Sequence, residues 1–267
     1  MSNDNGFSPV VSADDLTPPK KRLITWEIII VMAVSLGSSA VLSIIDLLND
    51  LTRPTPLNQQ TTSLNTSVTP DRPWLDLAYQ LYNFIWPAAM TALALYLLHL
   101  AYGHARHLIG FDLARPGNDL AKGFAICACV GIPGLGFYLL ARHLGINTTV
   151  APANLTAVWW TIPVLLISAA MSGISEEVIM IGYLLKRLAT LKWSPVWAIL
   201  LSSFIRGCYH LYQGFGAFIG NLVMGIVFSL LYLRWKRIMP FVIAHTLIDA
   251  FAYVGYSLLQ PYLSWLR

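Results

Sequence analysis

Charged residues are scarce in this chain. Asp, Glu, Lys and Arg make up only 11% of its 267 residues, whereas a soluble domain carries about 25%. So few charges cannot cover the surface of a water-soluble globule of this length, which argues against a soluble enzyme or binding module. Hydrophobic residues make up 56% of the chain, and apolar stretches of about 20 residues are typical of membrane-spanning helices.

Cysteines and zinc-binding motifs are also scarce. The three cysteines, Cys127, Cys129 and Cys208, do not make a disulfide framework, and we interpret them as packing residues within apolar stretches. The His-Glu-x-x-His motif of zinc proteases does not occur, which lowers the expectation of a tightly held zinc ion. No repeat with a period of about 20–50 residues is present, which argues against a solenoid or a propeller.

The apolar stretches predict an all-α, polytopic membrane protein with a bundle of about seven transmembrane helices. The predicted spans lie near residues 23–46, 79–102, 120–141, 156–186, 195–212, 217–234 and 239–260. Gly131 and Pro133 predict a kink in the third span. The fourth span is too long to cross a bilayer straight along its normal, and Pro163 and Gly173 are positions where it could bend.

Basic residues predict the orientation of the bundle. Most of the seventeen Lys and Arg residues lie before the first predicted span or after the second, fourth and sixth. The positive-inside rule therefore places the N-terminus in the cytoplasm and the C-terminus outside. The net charge of +4 comes from these flanking clusters, so it does not indicate a nucleic-acid partner.

The chain divides into a short tail and one membrane domain. Residues 1–22 are polar, with Pro and Asp, and we expect a disordered cytoplasmic tail there. Residues 23–267 form a single transmembrane domain, which makes membrane lipid a partner. The first apolar stretch begins late and exceeds the apolar core of a signal peptide, so we interpret it as a retained anchor.

Several polar side chains interrupt the C-terminal spans. An ionisable group near the bilayer centre costs about 2.5–3.5 kcal/mol on insertion scales, so such groups usually face a bundle interior or a water-filled cavity. The residues concerned are Glu176 and Glu177 on the fourth predicted span, Arg206 and His210 on the fifth, Asn221 on the sixth, and His245 and Asp249 on the seventh.

Spacing groups these side chains on helix faces. Arg206 and His210 are four residues apart, as are His245 and Asp249, so each pair shares a face. Glu176 and Glu177 are about 100° apart on a helix, which indicates two different roles. Glu27, near the start of the first span, fits a carboxylate that reaches the membrane interface.

Three kinds of chemistry use Glu, His and Asp in a wet pocket. A carboxylate and an imidazole can activate water for hydrolysis. If a divalent metal such as zinc is present, His210, His245 and Glu176 are its candidate ligands. Ion or proton transport also uses acids within the membrane, and each residue alone could be a structural helix–helix hydrogen bond.

The order of three motifs resembles the CPBP family of intramembrane endopeptidases, which includes type II CAAX prenyl proteases and bacteriocin-processing or self-immunity proteins. The family pattern is a Glu-Glu pair, then Phe-x-x-x-His on the next span, then His-x-x-x-Asn/Asp two spans later. The matching segments are SEEVIMIGYLL, SSFIRGCYHLYQG and AHTLID, which contain Glu176 and Glu177, His210, and His245 with Asp249. They define a predicted catalytic core at residues 156–255.

The resemblance implies an intramembrane protease in which Glu176 and His210 activate water. Glu177 would support them, while His245 and Asp249 would stabilise the oxyanion. Asn221 is a further candidate supporting residue, chosen because it is a polar residue within a span. The family has been regarded both as glutamate-type and as metal-dependent, so the cofactor stays open between none and a divalent metal. The resemblance also implies a peptide or protein substrate and a multi-pass location in a bacterial plasma membrane. A proton-coupled transporter and a silent immunity or regulatory protein are the alternatives.

Two positions depart from the family pattern. The family usually has an arginine where this chain has Ile181, and an aromatic residue where it has Arg206. We hypothesise that Arg206 replaces the missing cation and pairs with Glu176 or Glu177, because an uncompensated buried acid pair would be costly.

Helix lengths predict different depths in the membrane for His210 and His245. At about 1.5 Å per residue, His245 is only about 9 Å into the seventh span, while His210 is near the far end of the fifth. If both spans were straight and began at the membrane surface, these residues would not meet.

Overall fold

The structure is a computed structural model that describes residues 17–259. Its α-helices in that range are α1 (Pro18–Ala33), α2 (Leu36–Leu51), α3 (Pro73–Asn83), α4 (Ile85–Tyr102), α5 (Ala105–Ile109), α6 (Pro116–Ile126), α7 (Ile132–His143), α8 (Thr161–Glu176), α9 (Leu185–Thr190), α10 (Pro195–Cys208), α11 (Phe215–Trp235) and α12 (Met239–Leu259). Two π-helical segments, Cys127–Gly131 and Glu177–Leu184, join α6 to α7 and α8 to α9. Short strands β1 (Thr61–Ser63) and β2 (Thr149–Ala151) pair in parallel.

The prediction of an all-α, polytopic membrane protein is confirmed. Within residues 17–259, five helical stretches are long and apolar enough to cross a membrane, or six if the bent pair α1–α2 is counted as one span. They are Pro73–Tyr102, Pro116–His143, Thr161–Thr190, Phe215–Trp235 and Met239–Leu259. The predicted fifth span is instead the 14-residue α10, whose length of about 21 Å is short of a hydrocarbon core of about 30 Å.

The predicted tail and first span both need correction. Residues 1–16 lie outside the described part of the chain, but residues 18–22 belong to α1, because prolines at its first positions suit a helix start. The single predicted span 23–46 is two helices that meet at an angle of 49°. The Ser35 hydroxyl donates to the Val31 carbonyl oxygen at this break, and a serine close to a glycine, here Gly37, is a usual site of a helix kink.

The break between α1 and α2 is joined to α4. The indole N–H of Trp86 donates to the Val34 carbonyl oxygen at 3.2 Å. Val34 is the C-cap of α1, so its carbonyl needs a partner outside a regular helix.

The kink predicted in the third span lies at a π-helical segment, whereas the fourth span does not bend at either predicted position. Gly131 ends the first such segment. In the fourth span the helix continues through Pro163 and Gly173, and the π-helical segment begins afterwards at Glu177. All eight residues of Glu177–Leu184 are buried, so the wider turn lies in the core of the bundle.

Close packing of α8 against α12 depends on Gly173. A Cβ atom there would lie 2.6 Å from Thr246 Oγ1 and 3.0 Å from the Val242 carbonyl oxygen. The two backbones therefore approach more closely than any larger residue would allow. His245, the neighbour of Thr246, is thereby brought to the turn of α8 that carries the two glutamates.

Ion pairs stabilise the end of the bundle that carries Arg187 and Arg237, which we call the basic end. Arg237 binds Asp112 at 2.9 Å and Asp119 at 2.6 Å, which anchors the start of α12. Burial raises the pKa of Asp112, but hydrogen bonds from the Ala114 N–H and Arg237 leave it below its usual value. Asp112 is therefore ionised at neutral pH and pairs with Arg237.

Glu27 belongs to a second ion pair at the basic end. It accepts hydrogen bonds from the Tyr183 hydroxyl at 2.9 Å and from Arg187 Nε at 2.8 Å. Glu27 thus has partners that the sequence did not indicate, and its side chain joins α1 to the π-helical segment and to α9.

The opposite end, which we call the sheet end, holds β1, β2 and the turn after α10. The Thr148 N–H donates to the Gln213 carbonyl oxygen at 2.9 Å, and Asn147 Oδ1 accepts from the Ala217 N–H at 2.8 Å. The Tyr212 N–H donates to the Ser43 hydroxyl of α2 at 2.6 Å. These bonds hold the turn inside the bundle, although α10 is too short to cross it.

We predict that Gly173→Ala destabilises the protein, because its methyl group would collide with Thr246 and Val242. Overpacking of this kind costs about 1–3 kcal/mol. Gly136→Ala in α7 is the matched control, since a Cβ at that position meets no atom within 4 Å and the gain in helix propensity is the same. Thermal unfolding in detergent measures both, and equal midpoints would contradict the proposed close packing.

Candidate active site

Glu176 and Glu177 lie where α8 passes into the π-helical segment. The Glu177 side chain is completely buried, whereas that of Glu176 is 13% exposed. This difference agrees with their separation around the helix axis. Glu177 points into the bundle, and Glu176 lies where solvent or a ligand can reach it.

Glu177 is the centre of a buried ion-pair network. Its Oε1 atom accepts a hydrogen bond from Arg206 Nη2 at 2.9 Å and lies 2.7 Å from His245 Nδ1. Arg206 is only 1% exposed, and its Nη1 atom lies 3.7 Å from Glu176 Oε2. The guanidinium therefore lies against both carboxylates, at the position that the hypothesis of a replaced cation requires.

Glu176 is the point at which three helical regions meet. Its Oε2 atom accepts a hydrogen bond from the Tyr209 hydroxyl at 2.6 Å. The same atom lies 3.9 Å from His210 Nε2 and 4.0 Å from His245 Nε2. α8, the turn after α10 and α12 thus each supply a polar group to a space of a few ångströms.

The imidazole of His210 has no hydrogen-bond partner for either ring nitrogen among the residues that the structure describes. A buried polar group without a partner costs about 1–3 kcal/mol. The ring packs beside Tyr209 and stacks on Tyr212, with centroid separations of 4.8 and 6.3 Å. Its orientation is therefore set by aromatic contacts, which leaves its nitrogens available to a water molecule or a substrate.

Asp249 lies next to His245 on the same face of α12. Its Oδ2 atom is 3.7 Å from His245 Nε2 and accepts a hydrogen bond from the Tyr253 hydroxyl at 3.2 Å. Asn221 is placed differently, since its amide donates to the Ala217 carbonyl oxygen one turn earlier on α11. The structure therefore brings six of the seven predicted site residues together and leaves Asn221 outside their hydrogen bonds.

His210 and His245 lie at similar depths because of where α10 and α12 begin and end. His245 bonds to Glu177, so both lie at one level, near the middle of the continuous helix Thr161–Thr190. α12 begins directly after Ile238, which is buried and donates from its N–H to the carbonyl oxygen of the equally buried Ile109. His210 lies beyond the end of α10, on the turn that is fastened inside the bundle.

Sequence reasoning missed two tyrosines in the cluster. Tyr209 donates to Glu176 and Tyr253 donates to Asp249. Helical spacing could have indicated both, because Tyr209 is three residues after Arg206 and Tyr253 is four after Asp249. A buried tyrosine hydroxyl also needs a polar partner.

The metal-binding alternative finds no support in the donor geometry. Within residues 17–259, no group of three or more His, Cys, Asp or Glu side chains is arranged to hold a metal ion. Glu177 is occupied by Arg206, and Glu176 by the Tyr209 hydroxyl.

A cleft of about 390 Å³ leads to Glu176 between α2, α4 and α8. This volume is in the range of small-molecule and peptide sites, about 300–1,000 Å³. The cleft gives the buried cluster a connection to the outside of the bundle, and Glu176 is the cluster residue that lines it.

Comparison with known proteins agrees with the motif order. Residues 158–251, about a third of the chain, match the family model described as type II CAAX prenyl endopeptidase Rce1-like. The match supports the predicted resemblance to the CPBP family and, in general terms, a CAAX-type membrane protease. The matched segment contains the whole cluster from Glu176 to Asp249. No curated protein and no solved structure matches the chain.

We predict that Arg206→Leu lowers the stability by about 3–5 kcal/mol, because it leaves a buried carboxylate without its cation. The double variant Arg206→Leu with Glu177→Gln should recover much of this loss, since the uncompensated charge is removed as well. Unfolding in detergent measures both.

The matched control for that prediction is Arg53→Leu. Arg53 pairs with Asp50 at 3.3 Å, but its side chain is 52% exposed, and exposed pairs contribute at most about 1 kcal/mol. If Arg206→Leu unfolded at the same temperature as Arg53→Leu, Arg206 would not compensate the two glutamates.

Proposed function

We propose that this chain is an intramembrane endopeptidase that hydrolyses a peptide bond in a membrane-associated substrate by means of water activated by Glu176 and His210. The observation that supports this most is the approach of His210 Nε2 and His245 Nε2 to one oxygen of Glu176, at 3.9 and 4.0 Å, at the inner end of an open cleft. The family match of residues 158–251 points to the same class.

In this proposal, a water molecule hydrogen-bonds to both Glu176 Oε2 and His210 Nε2. The two atoms are too far apart for a direct bond, and a water about 2.8 Å from each fits their separation. Glu176 takes one proton from the water as the oxygen attacks the carbonyl carbon of the substrate. The same proton then passes to the amide nitrogen as the C–N bond breaks, which yields a carboxylic acid and an amine. The acid then loses its proton to water or to the amine.

His245 is proposed to stabilise the oxyanion of the tetrahedral intermediate. Glu177 lies 2.7 Å from His245 Nδ1 and holds the ring in one orientation, which leaves Nε2 towards the reacting atoms. When both nitrogens carry a proton, Nε2 donates to the oxyanion. Asp249 lies 3.7 Å from Nε2 on the same face of α12.

Glu177 and Arg206 support the chemistry without contacting the substrate. Glu177 is fully buried behind Glu176, so it acts as the anchor for His245. Arg206 offsets the charge of both carboxylates and keeps them together at a separation that would otherwise be repulsive. Tyr209 fixes the Glu176 oxygen that receives the proton.

The alternatives are proton-coupled transport and a catalytically silent immunity or regulatory protein. The proposed setting is a bacterial plasma membrane, with a peptide or protein substrate. Peptide cleavage and proton movement, both measured on the purified protein, separate all three, since a transporter would move protons without cleavage and a silent protein would do neither.

We predict that Glu176→Gln and His210→Ala each lower kcat/KM for an internally quenched peptide by a factor of about 10²–10⁴, the usual contribution of a general base. Both variants should fold normally, as checked by thermal unfolding. The control is His143→Ala, at the exposed end of α7. Full activity in Glu176→Gln would refute the proposed base.

We also predict that treatment with a strong metal chelator leaves peptide cleavage unchanged, because the proposed mechanism needs only protein side chains and water. The purified protein should contain far less than one equivalent of zinc. Loss of activity on chelation, with recovery on addition of zinc, would assign Glu176, His210 and His245 to metal binding and reject the metal-free mechanism.

A further inference from the structure

The cleft that reaches Glu176 has one wall made of hydroxyl groups from α8. Ser168, Ser172 and Ser175 line it at i, i+4 and i+7, a spacing that puts them on one helix face. The Ser168 hydroxyl donates to Asn65 Oδ1 at 2.8 Å, and the Ser175 hydroxyl donates to the Ser172 carbonyl oxygen at 3.3 Å. Since these protons are used within the protein, the oxygens of both hydroxyls remain available as acceptors.

The other walls of the cleft come from α2 and α4. Ser35, at the break before α2, uses its proton on Val31, and Ser38 uses its proton on the Ser35 carbonyl oxygen. α4 contributes the apolar side chains of Trp86 and Met90. The cleft therefore combines two walls of hydrogen-bond acceptors with one apolar wall.

The cleft opens towards the sheet end of the bundle. Asn65 and Thr66, which follow β1, and Gln80 of α3 line its outer part, while Glu176 and Ile179 line its inner part. Thr66 is exposed, whereas Ile179 is buried. The lining thus leads from the loop surface beside the sheet to the middle of the helix Thr161–Thr190.

We propose that this cleft binds an extended, uncharged or basic polypeptide segment that enters from the sheet end. This inference rests on the proposed function in taking the occupant to be the substrate. An extended chain offers backbone N–H groups to the hydroxyl oxygens of α2 and α8, and its alternate side chains lie against α4. Among the described residues that line the cleft, Glu176 alone is ionisable, so an acidic segment meets repulsion and no cation.

The distribution of basic residues indicates on which side of the membrane each end of the bundle lies. Arg187 and Arg237 belong to the basic end, which the positive-inside rule assigns to the cytoplasm. The sheet end is then the external face, so the substrate segment reaches the site from outside the cell.

Thiol labelling in sealed membranes tests the route. Ser168→Cys should react with a membrane-impermeant maleimide added at the sheet end, and slowly or not at all with reagent added at the basic end. Ile167→Cys is the matched control, because Ile167 is next on the same helix but is 44% exposed on the outer surface of α8, where lipid excludes the reagent. The unsubstituted protein gives the background from its native cysteines.

Two labelling outcomes would overturn the proposal. One is equal reactivity of Ser168→Cys and Ile167→Cys, which would mean that water does not enter the cleft. The other is reaction of Ser168→Cys from the basic end alone. Labelling needs no catalysis, so a protein that labels as expected but cleaves no peptide would reject the proposed function and keep the route.

Peptide cleavage tests the occupant. Ser172→Trp should fill the cleft and lower kcat/KM for a pool of uncharged, internally quenched decapeptides by about tenfold or more, with little change in thermal unfolding. Ile167→Trp is the control on the lipid side. Pools with Lys substitutions should be cleaved faster than pools with Asp. Full activity of Ser172→Trp, or preference for the Asp pool, would overturn the assignment of the cleft.

Discussion

The site depends on one electrostatic arrangement, in which the guanidinium of Arg206 offsets two adjacent carboxylates inside the bundle. Two acids without a cation would be costly there, and Arg206 lies 2.9 Å from Glu177 and 3.7 Å from Glu176. With their charges offset, the two glutamates can differ in role. Glu177 holds His245, while Glu176 remains at the end of the cleft. Removal of the cation would disturb both roles at once, since one residue serves both carboxylates.

Helix packing brings the remaining groups to that arrangement. Gly173 lets α12 approach α8 closely enough for His245 to reach Glu177. α10 is too short to cross the bilayer, and hydrogen bonds to Thr148 and Ser43 hold the turn after it within the bundle. His210 is carried on this turn, so its position depends on the loop that contains β2 as much as on its own helix.

Much of the fold and of the candidate site could be predicted from residue types and their spacing. The scarcity of charge and the apolar stretches predicted the all-α membrane bundle, and i, i+4 spacing paired His245 with Asp249 because helix geometry is local. Other features arise from contacts between distant segments. No local pattern identifies the partners of such segments. Trp86 bonds to the break between α1 and α2, and Ile109 bonds to Ile238 at the start of α12. The short length of α10 was not predicted either. Tyr209 could have been found from its spacing to Arg206, whereas Asn221 was included for its polarity alone and bonds within its own helix.

The link between Trp86 and the break in α1–α2 has a mechanical consequence. A hydrogen bond from an indole to a carbonyl has a net worth of about 1 kcal/mol, not far above thermal energy, and Trp86 is 60% exposed at the periphery of the bundle. Loss of this bond would free the C-cap of α1 from α4 at the outer wall of the cleft, while the ion pairs at Glu176 and Glu177 would remain.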